Sequence, residues 1–131
     1  AIAVSLVGKH ENHYQTAAKV TADLIKNLKD HPLPQDQIIN INVPDIELSK
    51  LKGVKVTRLG HRHTAETMKK MKDPWGRDIF WYGSLGNALD SAIGTDFWAV
   101  EEGYASVTPL SIDMTAHDSL EKMTKWIDKI S

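Results

Sequence analysis

Four neighbouring residues carry side chains that suit a phosphate or a metal: Arg58, His61, Arg62 and His63. Arginine forms paired hydrogen bonds with phosphate oxygens, so the cluster is a candidate contact for a substrate phosphate or for a second subunit. An exposed hairpin whose charges discourage strand pairing is the alternative. The two histidines stand two positions apart on a predicted strand, as a metal pair would, but no third ligand is close in sequence. Solvated histidines are therefore the favoured interpretation.

Acidic residues form the second set of candidates. Asp90 and Asp96 lie in or just after a long glycine-containing loop predicted over residues 83–94, where they would face a metal or a substrate. Asp96 is better explained as a helix cap. Asp113 and His117 stand four residues apart and are predicted to pair, as a hinge that fixes the direction of the last helix. The residues alone reveal no catalytic constellation and no set of metal ligands.

Composition excludes several classes of protein. Sixteen basic and seventeen acidic residues give a net charge of −1, which offers no field to attract a nucleic-acid duplex or an anionic membrane. The absence of cysteine excludes a disulfide scaffold, a cysteine zinc site and a thiol nucleophile, and it suits a cytoplasmic protein. No apolar run reaches the roughly 20 residues of a membrane helix. The length of 131 residues fits one domain or a large piece of one.

Periodicity in the first third predicts an α/β fold. Residues 1–7 have the pattern of a buried strand, and Asn12 with Gln15 resembles a capping box that opens a helix. Residues 38–43 alternate apolar side chains with Asn40 and Asn42, which is the period of a strand. Strand, helix and strand in this order predict a right-handed βαβ unit with parallel strands. Because a core strand begins at the first residue, we expect further chain to precede it.

The rest of the sequence predicts a hairpin and two more helices. Two strands around a type I turn at residues 73–76 make a long hairpin over 54–82, expected to pack on a second subunit or on further chain. Thr95 or Asp96 then caps a short helix, and residues 104–112 form another strand. Thr115 opens the final helix, which has an apolar stripe predicted to face a core: Leu120, Met123, Ile127 and Ile130.

Several short segments together resemble the SurE family, the survival-protein nucleotidases. Their order and spacing match from near Ala1 to Ile130, so the resemblance covers essentially the whole chain. The segments are His31-Pro32-Leu33-Pro34, Asn40-Ile41-Asn42-Val43-Pro44, Lys52-Gly53-Val54-Lys55-Val56-Thr57-Arg58, Asp73-Pro74-Trp75-Gly76-Arg77, Gly94-Thr95-Asp96-Phe97 and Glu102-Gly103-Tyr104-Ala105-Ser106-Val107-Thr108-Pro109-Leu110.

The resemblance implies both a fold and an activity. The fold would be the C-terminal part of a Rossmann-like parallel-sheet α/β domain, spanning residues 1–131. Its protruding hairpin over 54–82 would build a homodimer or tetramer, and its C-terminal helix over 113–131 would be exchanged between subunits. The activity would be that of a metal-dependent phosphatase on nucleoside 5′- and 3′-monophosphates, in some members also on short polyphosphate.

The same resemblance places the cofactor outside this chain. In the family, two adjacent aspartates after the first strand hold a divalent ion, Mg or Mn, together with a serine and an asparagine of the N-terminal half. This sequence has no Asn-Asp-Asp-Gly and no adjacent aspartates, so no metal ligand can be assigned, and the fragment alone is expected to be inactive. Two alternatives stay open: a non-catalytic oligomerisation module and a free-standing α/β ligand-binding domain.

Overall fold

The computed structural model of the chain describes residues 1–8, 10–63, 67–83 and 86–130. No helix in those ranges is long and apolar enough to cross a membrane. Short 3₁₀ turns at Leu48–Lys50 and His117–Ser119 accompany the main elements, which follow in the order β1 (Ile2–Val7), α1 (Tyr14–Asn27), β2 (Gln37–Pro44), β3 (Val54–Val56), β4 (His61–Arg62), β5 (Lys69–Lys72), β6 (Asp78–Trp81), β7 (Ala88–Asp90), α2 (Asp96–Glu101), β8 (Ala105–Ser111) and α3 (Leu120–Ile127).

Four strands form a mixed sheet in the order β1-β2-β8-β3. β1 and β2 run parallel, from Ile2 beside Ile39 to Val7 beside Pro44, as expected of a βαβ unit. β8 runs antiparallel to β2 and parallel to β3, so the α/β class is confirmed while the sheet is not all parallel. The chain reverses between β2 and β3 because residues 45–53 hold only one 3₁₀ turn. That segment is too short for a helical crossover that would return the chain in the same direction.

The hydrophobic core lies between α1 and one face of the sheet. Ile39, Ile41 and Val43 alternate along β2, and Ile41 and Val43 are completely buried. They pack with Ala17 and Val20 of α1 in one apolar cluster. The alternation in the sequence identified this face correctly, because successive side chains of a strand point to opposite sides.

The hairpin predicted over residues 54–82 is smaller in the structure. Val54–Val56 is strand β3 of the main sheet, and only β5 and β6 form the two-stranded unit. The turn is as predicted, since the Gly76 N–H donates to the Asp73 carbonyl oxygen over 2.9 Å. A local β pattern does not distinguish the edge strand of a sheet from one limb of a hairpin, which is why β3 was placed wrongly.

The loop predicted over residues 83–94 contains a strand. β7 pairs antiparallel with β4, with His61 beside Asp90 and Arg62 beside Ala88, and the register shifts between the two pairs. Ser84 and Leu85 lie outside the described residues. A strand of three residues is too short to show periodicity, so the prediction of an irregular segment is wrong for Ala88–Asp90.

The last helix begins later than predicted. Asp113 Oδ1 accepts the Thr115 N–H over 2.8 Å, and a 3₁₀ turn intervenes, so α3 starts at Leu120 rather than at Thr115. Leu120 and Met123 are 52% and 50% exposed. Within the described part of this chain the predicted packing of the apolar stripe on a core is therefore wrong.

Candidate functional site

The structure gathers the five substrate-side candidates around the short strands β4 and β7, a region called here the β4–β7 unit: Arg58, His61, Arg62, Asp90 and Asp96. Arg58 and Asp90 are paired with each other, since Nη1 and Nη2 of Arg58 donate to the two carboxylate oxygens over 2.5 and 3.2 Å. The hydrogen bond from Arg58 lowers the pKa of Asp90. A phosphate would therefore have to displace a paired carboxylate to reach the guanidinium of Arg58.

Arg62 borders a cavity beside the β4–β7 unit. Its guanidinium lies 4.8 Å from the centre of the Phe97 ring, and its Nη1 donates to the Gly86 carbonyl oxygen over 3.2 Å. The cavity has a volume of about 600 Å³, and its wall includes the Asn40 and Asn42 amides of β2. A cation stacked on an aromatic ring beside two amides suits a polar organic ligand better than a bare ion.

Asp96 makes hydrogen bonds within the fold, but it does not cap helix α2. Thr95 caps α2, because its Oγ accepts the Trp98 N–H over 3.1 Å. The Asp96 carboxylate instead accepts the Gly60 N–H over 2.8 Å, and the Asp96 N–H donates to the Arg58 carbonyl oxygen over 3.0 Å. These two hydrogen bonds connect residues 58–60, which lead into β4, to the first turn of α2. Asp96 also contributes to the wall of the 600 Å³ cavity.

The hinge candidates Asp113 and His117 are brought together, far from the β4–β7 unit in sequence. His117 Nε2 lies 2.6 Å from Asp113 Oδ2. Hydrogen bonds from Thr115 and then from His117 lower the pKa of Asp113 from 3.8 to about 2. The contact fixes the backbone turn that leads from β8 into α3.

We expect the Asp113 contact to weaken only in strong acid. Because the pKa of the folded Asp113 lies below its usual 3.8, the stabilisation is complete above pH 3.8 and is lost as the pH falls towards 2. A ¹³C NMR titration of the Asp113 carboxyl should show a midpoint near 2, and Asp113→Asn should remove the accompanying shift at Thr115. His117→Gln, which retains a donor, is the matched variant and should raise the midpoint only part of the way. A midpoint at 3.8 in the unaltered chain would contradict this.

A second polar site lies at the carboxyl ends of the parallel strands β1 and β2. Asp45, just after β2, accepts the Asn12 N–H over 3.0 Å and the His13 N–H over 2.8 Å, and its Oδ1 lies 2.9 Å from His13 Nδ1. The backbone hydrogen bond from His13 is the main cause of the lowered pKa of Asp45. The carboxylate thus replaces the capping box predicted at Asn12 and Gln15, since α1 has no side-chain cap of its own.

Sequence reasoning missed the Asp45 and His13 pair. The two residues are separated by 32 positions, so no local spacing links them. The available signal was topological: a carboxylate directly after β2 and a histidine directly before α1 must meet at the same edge of a parallel pair. Gly8 completes the arrangement, because a Cβ at Gly8 would lie 2.4 Å from the Asp45 Cβ.

The described residues do not fit a catalytic metal ion. Within residues 1–8, 10–63, 67–83 and 86–130, no group of three or more histidine or acidic side chains is placed to hold one. Asp90, Asp96 and Asp45 are already engaged by arginine, backbone N–H and histidine groups, respectively.

The fold, with polar groups at the strand ends, defines an α/β domain built on a mixed sheet. The profile of the family described as survival protein SurE matches residues 1–66, about half of the 131. The chain belongs to the SurE family.

Relatives match this chain over almost its whole length. It is 53% identical over 130 residues to a protein of Pseudoalteromonas atlantica and 52% identical over 128 residues to one of Aeromonas hydrophila, both named 5′-nucleotidase SurE. These matches cover 99% and 98% of this chain but 52% and 50% of the relatives. The crystal structure of the Sure protein from Aquifex aeolicus superposes with a TM-score of 0.75 at 33% identity, over 97% of this chain and 51% of that one. The chain thus spans about half the length of its relatives.

Proposed function

We propose that this chain is the C-terminal part of a divalent-metal-dependent phosphatase that hydrolyses nucleoside 5′- and 3′-monophosphates, with short polyphosphate as a further substrate. The observation that carries the proposal is the identity of 52–53% to proteins named 5′-nucleotidase SurE over nearly the whole chain. The carboxyl edge of β1 and β2, where open α/β sheets bind ligands, supports a site for a small ligand such as a nucleotide. We place the enzyme in the cytoplasm.

The metal, Mg or Mn, would be held by the half of the relatives' length that this chain does not span. In this chain Asp90, Asp96 and Asp45 are engaged by Arg58, the Gly60 N–H and His13, respectively. When bound, such an ion supplies polarisation of phosphoryl oxygens and activation of water. The present chain would contribute substrate-side groups from the β4–β7 unit and the carboxyl edge of β1 and β2.

We also propose that the enzyme is a homodimer or tetramer. The supporting observation is the amount of exposed aromatic surface on and beside the two-stranded unit of β5 and β6: Trp75 is 78% exposed, Trp81 61% and Tyr82 83%. Apolar surface of this extent is common at subunit contacts. The half-exposed Leu120 and Met123 of α3 offer a second such surface, which suits an exchanged helix.

The test compares the complete protein that contains this chain with the 131-residue chain alone, each shown to be folded by circular dichroism. We expect manganese-dependent phosphate release from a nucleoside 5′-monophosphate by the complete protein and none by the chain. Light scattering on the same samples reports the oligomeric state. Release by the isolated chain that survives repurification would place the catalytic centre in these residues. A complete protein with no phosphatase activity under any divalent ion would remove the proposal.

A further inference from the structure

His13 and Asp45 form a carboxylate–imidazole pair in which one ring nitrogen of His13 has no partner among the described residues. Asp45 is only 10% exposed, and its lowered pKa makes it an ionised acceptor. Because an ionised carboxylate accepts hydrogen bonds and cannot donate them, the proton between the two side chains belongs to His13 Nδ1. The Nε2 atom makes no hydrogen bond to any residue in 1–8, 10–63, 67–83 or 86–130, so it is the ring nitrogen left for a ligand.

The backbone around the pair holds the ring in place. Asp45 also binds the N–H groups of Asn12 and His13, and its own N–H donates to the Val7 carbonyl oxygen over 3.0 Å. The ends of β1 and β2 and the start of α1 therefore converge on one carboxylate. An imidazole fixed through Nδ1 with a free Nε2 is the arrangement in which histidine transfers protons.

The ring lines a cavity of suitable size at the carboxyl edge of the sheet. The cavity has a volume of about 430 Å³ and includes His13, Tyr14 and Glu47 in its wall. This lies within the roughly 300–1,000 Å³ of small-molecule sites. The two glutamates near the cavity each have a partner. Glu47 Oε2 lies 3.3 Å from Lys50 Nζ, and Glu11 Oε2 accepts a hydrogen bond from the Tyr14 hydroxyl over 3.0 Å. The α1 N-terminus, with no acidic residue in its first turn, adds a positive dipole end.

We propose that His13 is the proton donor to the leaving ribose oxygen of the nucleotide, and that Asp45 is its positioning residue. The proposal rests on the proposed nucleotidase function. In the step, a water oxygen bonds to phosphorus, the bond between phosphorus and the ribose oxygen breaks, and Nε2–H of the imidazolium gives its proton to that oxygen. One proton of the attacking water stays on the phosphate and the other returns to the imidazole. The products are the nucleoside and monohydrogen phosphate.

The experiment uses the complete protein and two substrates that differ in their need for a proton. A nucleoside 5′-monophosphate releases an alkoxide, which needs protonation, whereas p-nitrophenyl phosphate releases a stable phenolate, which does not. In His13→Asn, the amide nitrogen stands near the position of Nδ1 and keeps the bond to Asp45, while Nε2 is removed. We expect kcat for the nucleotide to fall roughly 10²–10⁴-fold, as for loss of a general acid, and kcat for p-nitrophenyl phosphate to fall far less.

Control variants separate the proton donor from a structural role. His31→Gln changes an exposed histidine beyond the far end of α1 and should leave both activities unchanged. Asp45→Asn should lower kcat less than His13→Asn does, and the decrease should again be greater for the nucleotide than for p-nitrophenyl phosphate. Equal losses of both activities in His13→Asn, with helix content intact by circular dichroism, would overturn the proposal, and so would no loss at all. If helix content falls, His13→Gln repeats the comparison. A wild-type protein that hydrolyses only p-nitrophenyl phosphate would instead overturn the nucleotidase function itself.

Discussion

Ile41→Ala is expected to destabilise the chain by about 2–5 kcal/mol, the usual cost of truncating a fully buried isoleucine. Ile41 has no exposed surface and lies in the middle of β2, beside Val4 of β1 and Val107 of β8. The α1 residues of the same apolar cluster cover its side chain. Because paired strands flank it on both sides, the backbone cannot collapse into the cavity that the truncation leaves. Thermal unfolding followed by circular dichroism should show a decrease in Tm on the order of 10 °C.

The matched control is the same substitution at Ile93. This isoleucine is 80% exposed in the segment between β7 and α2, so Ile93→Ala should change the stability by less than about 0.5 kcal/mol. Ile41→Ala and Ile93→Ala make the same chemical change and differ only in how buried the isoleucine is. Similar Tm values for the two variants would mean that the core is not built around β2, and the fold described here would then be wrong.

The elements that the sequence predicted well are those whose burial follows a single period. Ala17, Val20 and Leu24 of α1 repeat at helical spacing and the β2 side chains alternate, and both patterns are imposed by one shared core. The turn at Asp73 was predictable for a different reason. Its aspartate, proline and glycine each satisfy a specific backbone requirement of a type I turn, so no distant partner is needed.

The direction of β8 and the existence of β7 could not be predicted in this way. Strand direction depends on which neighbour a strand joins, and β8 joins β2 antiparallel and β3 parallel at the same time. β7 is three residues long and pairs with a two-residue strand through an irregular register. Neither property leaves a periodic signature, because both arise from contacts between residues far apart in sequence.

In the candidate site too, local sequence properties were predictable and contacts between distant residues were not. Arg58, His61 and Arg62 were selected as a cationic cluster, and Asp90 and Asp96 because they lie in or just after the predicted glycine-containing loop. The structure brings the five residues together. Their pairing was not foreseen, because the bond between Arg58 and Asp90 spans 32 positions, as does the bond between the His13 N–H and Asp45. Residue type indicates which chemistry is available, but only the fold decides which charges neutralise one another. Their roles towards a substrate stay predictions.

Gly60→Ala is expected to destabilise the β4–β7 unit by about 1–3 kcal/mol, the cost of overpacking at a close approach between segments. A Cβ at Gly60 would lie 2.4 Å from the Asp90 carbonyl oxygen and 2.4 Å from Cδ2 of Phe97. The carbonyl oxygen belongs to β7, so it moves away only if that strand shifts relative to β4. The shift would also lengthen the bond from the Gly60 N–H to Asp96, at present 2.8 Å.

The measurement is amide hydrogen exchange, read residue by residue along β4, β7 and α2. In Gly60→Ala we expect faster exchange at the amides of the β4–β7 unit, with the exchange of β2 little changed, because opening of a local unit need not unfold the core. The control is Gly76→Ala, where nothing lies within 4 Å of the added Cβ and the cost is backbone strain at φ 82° in the turn between β5 and β6. It should increase exchange in that turn alone. Unchanged protection of Arg62 and Asp90 in Gly60→Ala would show that the close approach of β4 to β7 and α2 is not what holds the site residues together.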